Sequence, residues 1–260
     1  MDIHYLLEEK GGPVWALAIH DGHDIADELV PIINLSEVER LREEDPFTGI
    51  LTDIGTNRLV VKTSRFQVDL NRALQDAIYL HPEQAWGLNV WKHLPSKAII
   101  ERIQHSYRYI QRLISLLIED TIHRYGYFIV YDIHSYNSKR EGPNEIIDTA
   151  LNPQINIGTI HNSSIWHPVI DAFKQFISSK QFAGRNIDIR ENVKFSGGYL
   201  SKWINSKYGA HGCVLSIEFR KDFMDEWSGV PNPQAIELLR QLLASSLQHT
   251  NLNQSVIYGV

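Results

Sequence analysis

Tyr127-Phe-Ile-Val-Tyr-Asp-Ile-His-Ser-Tyr136 is the stretch on which the fold turns. From Tyr127 to Ile133 every residue but Asp132 is apolar or aromatic. The run is too short for an ordinary helix and reads as a strand buried on both faces. Such a strand needs helices above and below it, which is the arrangement of a parallel sheet. Comparable runs occur at Val14–Ile19, Leu59–Lys62, Asn156–Thr159, Asn186–Arg190 and Cys213–Phe219. Helical patterns lie between them. After Ser96, placed as an N-cap, Ile99, Ile103, Tyr107, Ile110, Ile114, Leu117 and Ile118 recur at spacings of three and four, and the helix should end near Gly126. Similar patterns cover Ser164–Ser178, Tyr199–Lys207 and Pro233–Gln248. The expected fold is α/β: a single-domain three-layer sandwich over residues 1–260, with a mixed, mainly parallel sheet and helices on both faces.

The composition bounds the partner. A net charge of -6 and a pI near 6.0 argue against nucleic acid, whose phosphates call for clustered Lys and Arg. A small-molecule partner is expected. The single cysteine, Cys213, excludes an internal disulfide and falls in an apolar run, so an inert buried thiol is expected there. With no apolar segment of bilayer length and no basic-then-apolar N-terminus, the expectation is a cytoplasmic protein without membrane contact. Oligomeric state is not legible in these residues.

In a parallel sheet, ligands bind beyond the C-terminal ends of the strands, so each apolar run should deliver its chemistry where it stops. Val14–Ile19 runs into His20-Asp-Gly-His-Asp24, Phe128–Ile133 into His134-Ser135, and Val214–Ile217 into Glu218-Phe-Arg220. His20 and His23, with Gly22 between them to permit a tight turn, have a spacing that suits one ion. Surface or capping histidines fit the same spacing. His134 follows a rigid strand, as a ligand should, and Asp132 could back a ligand by a hydrogen bond. Glu218 suits a general base for hydrolysis, or an ion pair with Arg220 or Lys221. Ser64-Arg-Phe-Gln-Val-Asp-Leu-Asn-Arg72 offers arginine forks for a carboxylate, or an exposed polar turn.

Together these segments resemble the N-formylglutamate amidohydrolase family, and behind it the zinc carboxypeptidase superfamily. Ser64-Arg65 through Val68-Asp-Leu-Asn-Arg72 is similar to the family's Ser-Arg-x-x-x-Asp-Leu-Asn-Arg block, and Asp132-Ile-His-Ser-Tyr136 to its Asp-x-His-Ser-Tyr block. His20-x-Gly22 resembles the His-Ser-Gly entry, and Phe195-Ser-Gly-Gly-Tyr199 the Tyr-x-Gly-Gly-Tyr turn. The chain departs from the pattern at Asn192-Val-Lys-Phe195, which lacks the proline of the family's Asn-Asp-Pro-Tyr turn.

The resemblance implies a zinc-carboxypeptidase-like (phosphorylase/hydrolase-like) fold and one Zn²⁺ held by His20, His23 and His134, with a water in the open fourth position. His23 stands where carboxypeptidases have a glutamate, so Asp24 or Asp53 is an alternative second ligand. Glu218 is implied as base and proton shuttle, and Asn71 with Arg72 as the clamp on a substrate α-carboxylate. Arg65 and Arg190 are further candidates for a second acidic group. The implied reaction is hydrolysis of an N-formyl or N-acyl acidic amino acid, with N-formyl-L-glutamate the first expectation. The alternatives are a metallocarboxypeptidase acting on small peptides and a non-catalytic carboxylate-binding protein of the same fold.

Overall fold

The computed structural model describes residues 1–182 and 184–250. In chain order the elements are β1 (Tyr5–Glu8), β2 (Val14–Ala18), α1 (Glu37–Glu43), α2 (Thr48–Leu51), β3 (Asn57–Val61) and α3 (Lys97–Tyr125). There follow β4 (Phe128–Tyr136), β5 (Ile155–Gly158), α4 (His167–Ser178), β6 (Gln181–Phe182), β7 (Arg185–Asn186), β8 (Ile189–Glu191), α5 (Tyr199–Tyr208), β9 (Gly212–Arg220) and α6 (Pro233–Thr250). Seven strands form one sheet in the order β1-β3-β2-β4-β9-β5-β8, and β6 pairs only with β7. The contacts β3–β2, β2–β4, β4–β9 and β5–β8 are parallel, whereas β1–β3 and β9–β5 are antiparallel. The sheet is mixed and mainly parallel, with the stretch 128–136 at its centre.

Alternation along β4 divides the core into two layers. Phe128 and Val130 join a cluster with Trp15, Leu17 and the inner faces of α3 and α5, including Ile110, Ile114 and Ile204. Ile129, Tyr131 and Ile133 join the opposite cluster, with Val169 and Phe173 of α4 and Ile236 and Leu239 of α6. Helices therefore cover both faces, which is why β4 shows no polar alternation over most of its length. Phe173 is fully buried and meets Tyr131 edge to face at 5.4 Å. Replacing it by alanine removes that contact and leaves a cavity, so Phe173→Ala is expected to cost about 3–5 kcal/mol, read as a lower midpoint in chemical denaturation. Cys213 is buried in β9 and burial pushes its thiol up to about 12, as an inert core residue requires.

The boundaries differ from the sequence reading for local reasons. β1 is a short, half-exposed edge strand without a continuous apolar run. The segment beginning at Ser164 opens with a tight 3₁₀ turn, Ser164–Trp166, before α4 starts at His167 with Pro168 in its first turn. The run 186–190 is shared between β7 and β8. β4 and β9 do not stop where their apolar runs stop: they stay paired through His134–Glu218 to Tyr136–Arg220. The candidate chemistry therefore sits on the ladder itself.

Candidate active site

On the face that carries Phe128 and Val130, β4 continues with Asp132, His134 and Tyr136, while β9 continues from Val214 with Ser216 and Glu218. One face of the two central strands thus changes from apolar to ionisable toward their C-terminal ends. Strand pairing fixes the backbones there, so the side chains project from a rigid base.

Three groups converge above it. His134 Nδ1 lies 3.1 Å from Asp45 Oδ2, His20 Nδ1 lies 3.5 Å from the same oxygen, and the two imidazoles meet edge to face at 5.0 Å. All three residues are buried, and their ligand-type atoms lie within 4.8 Å of one another. Behind the imidazoles, His20 Nε2 donates to Asp69 Oδ1 at 2.7 Å and His134 Nε2 donates to Asp132 Oδ1 at 2.9 Å. A carboxylate only accepts, so each ring keeps a proton on Nε2 and turns Nδ1 toward Asp45, where a second proton makes the His134 contact to Asp45 when no cation is bound. A metal ion held there would take the place of that proton. A carboxylate behind each ring is also how metal-holding histidines are commonly oriented.

The electrostatics of these residues by themselves favour a protonated His134 beside an ionised Asp45. Burial pushes the Asp45 carboxyl up, but hydrogen bonds to His134 and His20 outweigh it and hold the group well below the usual carboxylate range. Burial likewise opposes the charged form of His134, yet the Asp132 charge and hydrogen bond raise its pKa well above the ordinary histidine value. The Asp69 carboxyl, also pushed up by burial, is held down by Arg65 and His20. Asp45, Asp69, Asp132 and Glu218 lie near the buried cations Arg65 and Lys221, and a divalent cation that displaced the protons of His134 and Glu218 would leave these charges balanced.

Glu218 stands beside His134 across the β4–β9 ladder. Among the described residues nothing hydrogen-bonds to its carboxylate, and burial pushes it up to about 8. The ion-pair alternatives do not form: Arg220 is bound to Asp222 at 2.7 Å, and Lys221 Nζ donates to backbone carbonyls. The carboxylate lines a pocket of about 760 Å³ together with His20, Asp45 and His134.

The arginines sort by what already holds them. Arg72 lines the pocket with 45% of its side chain exposed; its nearest carboxylate, Asp69, is 4.0 Å away. Asn71 lines the pocket too, but its Oδ1 accepts from Leu200 N–H at 2.9 Å and closes an open donor at the start of α5. A Cβ on Gly198 would come within 2.2 Å of the Asn71 amide, so this glycine is what lets the Phe195–Tyr199 turn approach Asn71. Arg65 reaches the pocket already committed, donating to Asp69 Oδ2 at 2.8 Å, Tyr79 Oη at 3.1 Å and the Glu43 carbonyl at 3.2 Å. Arg190 is outside the pocket lining, bound to Asp188 and to the carbonyls of Thr149 and Ala150.

Two further expectations are corrected. His23 is not in the cluster: its Nε2 accepts from Arg40 at 3.1 Å and its Nδ1 donates to Glu44 at 2.5 Å, which turns the ring away from His20. Asp24 and Asp53 do not replace it, since they pair on the surface with His4 and with Lys10. Asp45 stands in that place, 25 residues after His20, in the bend between α1 and α2. Gly22 is needed for close approach, since a Cβ there would lie 2.2 Å from the Lys62 backbone.

The family profile for N-formylglutamate amidohydrolase matches residues 12–224. Among solved structures, an N-formylglutamate amidohydrolase from Ralstonia eutropha JMP134 superposes with a TM-score of 0.75 at 16% identity, covering 98% of this chain and 99% of that one. A gene product from Agrobacterium tumefaciens superposes with a TM-score of 0.65 at 17% identity, covering 94% of each chain. At these identities the superpositions speak for the fold. A sequence search of curated proteins returns no match. The family match spans every strand and side chain from which the site is built, and the chain belongs to the N-formylglutamate amidohydrolase family.

Proposed function

We propose that this amidohydrolase uses one zinc ion, held by His20, Asp45 and His134, to cleave the amide of an N-formylated or N-acylated acidic amino acid, with N-formyl-L-glutamate as the first substrate, and that the chain works as a single catalytic domain. The observation that carries the reading is the convergence of two Nδ1 atoms and one carboxylate, each imidazole backed by its own aspartate. Such donors suit zinc, and Co²⁺, Mn²⁺ or Fe²⁺ would accept them too. When bound, the ion acidifies a water and polarises a carbonyl.

The remaining work falls to side chains. Glu218 takes the proton of the attacking water and delivers it to the departing amine; the raised pKa that burial gives it suits a group that must hold a proton and release it. A cation beside it would draw that value down toward the working range. Of the arginines lining the pocket, Arg72 is the least committed, with the Gln84 carbonyl at 3.5 Å and Asp69 at 4.0 Å, and it binds the α-carboxylate, with the Asn71 amide alongside. Arg65 adds positive charge to the wall where the amide oxygen becomes anionic.

Arg72→Met should remove one charge-assisted contact, worth about 1.5–3 kcal/mol. We therefore expect kcat/KM to fall about 10- to 150-fold, mainly through KM, in steady-state kinetics. The substrate reading is tested by formate release from a panel of N-formyl amino acids together with N-acetylglutamate. Preference for N-formyl-L-glutamate over N-formylglutamine and N-formylleucine supports it. Equal rates on all of them would remove the acidic-substrate reading, and release of C-terminal residues from small peptides instead would favour a carboxypeptidase.

A further inference from the structure

Lys221 has no part in the chemistry above, yet it is buried beside the site at 3% exposure and forms no ion pair among the described residues. Its Nζ donates instead to two carbonyls, Arg42 O at 2.6 Å and Glu44 O at 2.8 Å. Burial lowers the lysine to about 8, so the ammonium sits where a methionine of similar size would avoid desolvation. What those carbonyls belong to supplies the reason. Glu44 O is the acceptor of the peptide whose N–H is that of Asp45, and this N–H donates to His20 O at 2.9 Å. The peptide leading into Asp45 is thus held at its oxygen by Lys221 and at its nitrogen by the strand exit that carries His20.

The rest of the loop is held as closely. Arg42 O also accepts from Asn137 Nδ2 at 2.8 Å, and Glu43 O accepts from Arg65 at 3.2 Å. The Glu44 carboxylate, fully buried, is bound by Ser64, by Arg40 and by His23. All three carbonyls before Asp45 are therefore engaged by side chains from other elements. Loops between two short helices have no ladder of their own, and a ligand displaced by about 1 Å is a poor ligand.

We infer that Lys221 is a positioning residue: by holding the Glu44–Asp45 peptide it places the Asp45 carboxylate against His20 and His134, and so sets the affinity of the site for its metal. The inference rests on the reading of Asp45 as a metal-holding group. Its test is the zinc dissociation constant of metal-stripped protein, measured by competition with a chromophoric chelator, for wild type, Lys221→Met, Asp45→Ala and the double variant. Lys221→Met is expected to weaken zinc about 10- to 100-fold, as loss of a supporting partner does, and to add nothing once Asp45 is alanine. Lys221→Arg, which keeps the donors, is expected to recover part of the loss.

Unchanged affinity in Lys221→Met, or an equal loss with and without Asp45, overturns the inference. If the methionine variant does not fold, Lys221→Gln, which retains one donor, is taken through the same cycle. A wild type that takes up no zinc overturns the metal reading instead. The positioning role is then read from amide hydrogen exchange, where Lys221→Met should speed exchange at Asp45, and an unchanged rate there overturns it.

Discussion

Glu218→Gln is expected to lower the rate of amide hydrolysis by about 10²–10⁴, the range supplied by one positioned general acid–base group, while zinc content stays at the wild-type level. Glutamine keeps the shape of glutamate and loses the ability to take a proton. Because no described residue is bound to the Glu218 carboxylate, the exchange breaks no native hydrogen bond. It also removes a carboxylate that burial already disfavours in its charged form, so the thermal midpoint should hold or rise. Kinetics and a melting curve on the same preparation check both halves. A variant that keeps its activity but melts earlier would mark Glu218 as structural. A binding protein without catalysis would keep its ligand affinity in both forms and turn over nothing in either.

The second large effect separates Asp45 from His23. Asp45→Ala is expected to weaken zinc by more than the roughly 10- to 100-fold typical of losing a partner behind a ligand, since it removes one of the three converging donors. His23→Ala should leave zinc close to stoichiometric. Its ring touches Glu44 and Arg40 rather than the cluster, so its loss should appear as lower stability, with the buried Glu44 carboxylate losing a donor. Elemental analysis of both variants beside wild type checks the pair. Zinc lost with His23 and retained without Asp45 would reverse the assignment.

The sequence placed His20, His134 and Glu218 at strand ends because each follows an apolar run that a buried strand explains, and strand order brings β2, β4 and β9 side by side. Arg72 was legible as a cation, and that its partners are only the Gln84 carbonyl at 3.5 Å and Asp69 at 4.0 Å emerged with the fold. Asp45 left no comparable signal. It lies in Glu43-Glu44-Asp45-Pro46, one acid among several, in a bend whose place is set by Lys221, Arg65 and the His20 carbonyl, all remote in sequence. His23 misled for the converse reason: a spacing of three suits two ligands only if the backbone turns both rings inward. Here the exit of β2 lies against the Lys62 backbone, and the next ring swings toward Glu44. Arg190 follows an apolar run as His20, His134 and Glu218 do, but its strand, β8, lies at the sheet edge beyond β5, away from the pocket.

None of the described helices is both long and apolar enough to cross a membrane. The acidic net charge does not weaken the reading of an anionic substrate, since Arg65, Arg72, Arg140, Lys194 and Lys202 line the one pocket that holds the ionisable cluster. Binding depends on that local field rather than on the total charge.

Formate release from N-formyl-L-glutamate, followed before and after the metal is stripped and then restored with zinc, tests the central claim most directly. The account predicts turnover in the zinc-loaded protein, none above background in the stripped protein, and recovery when zinc is returned. The same rate in the stripped and loaded protein, or no formate from either, would contradict it.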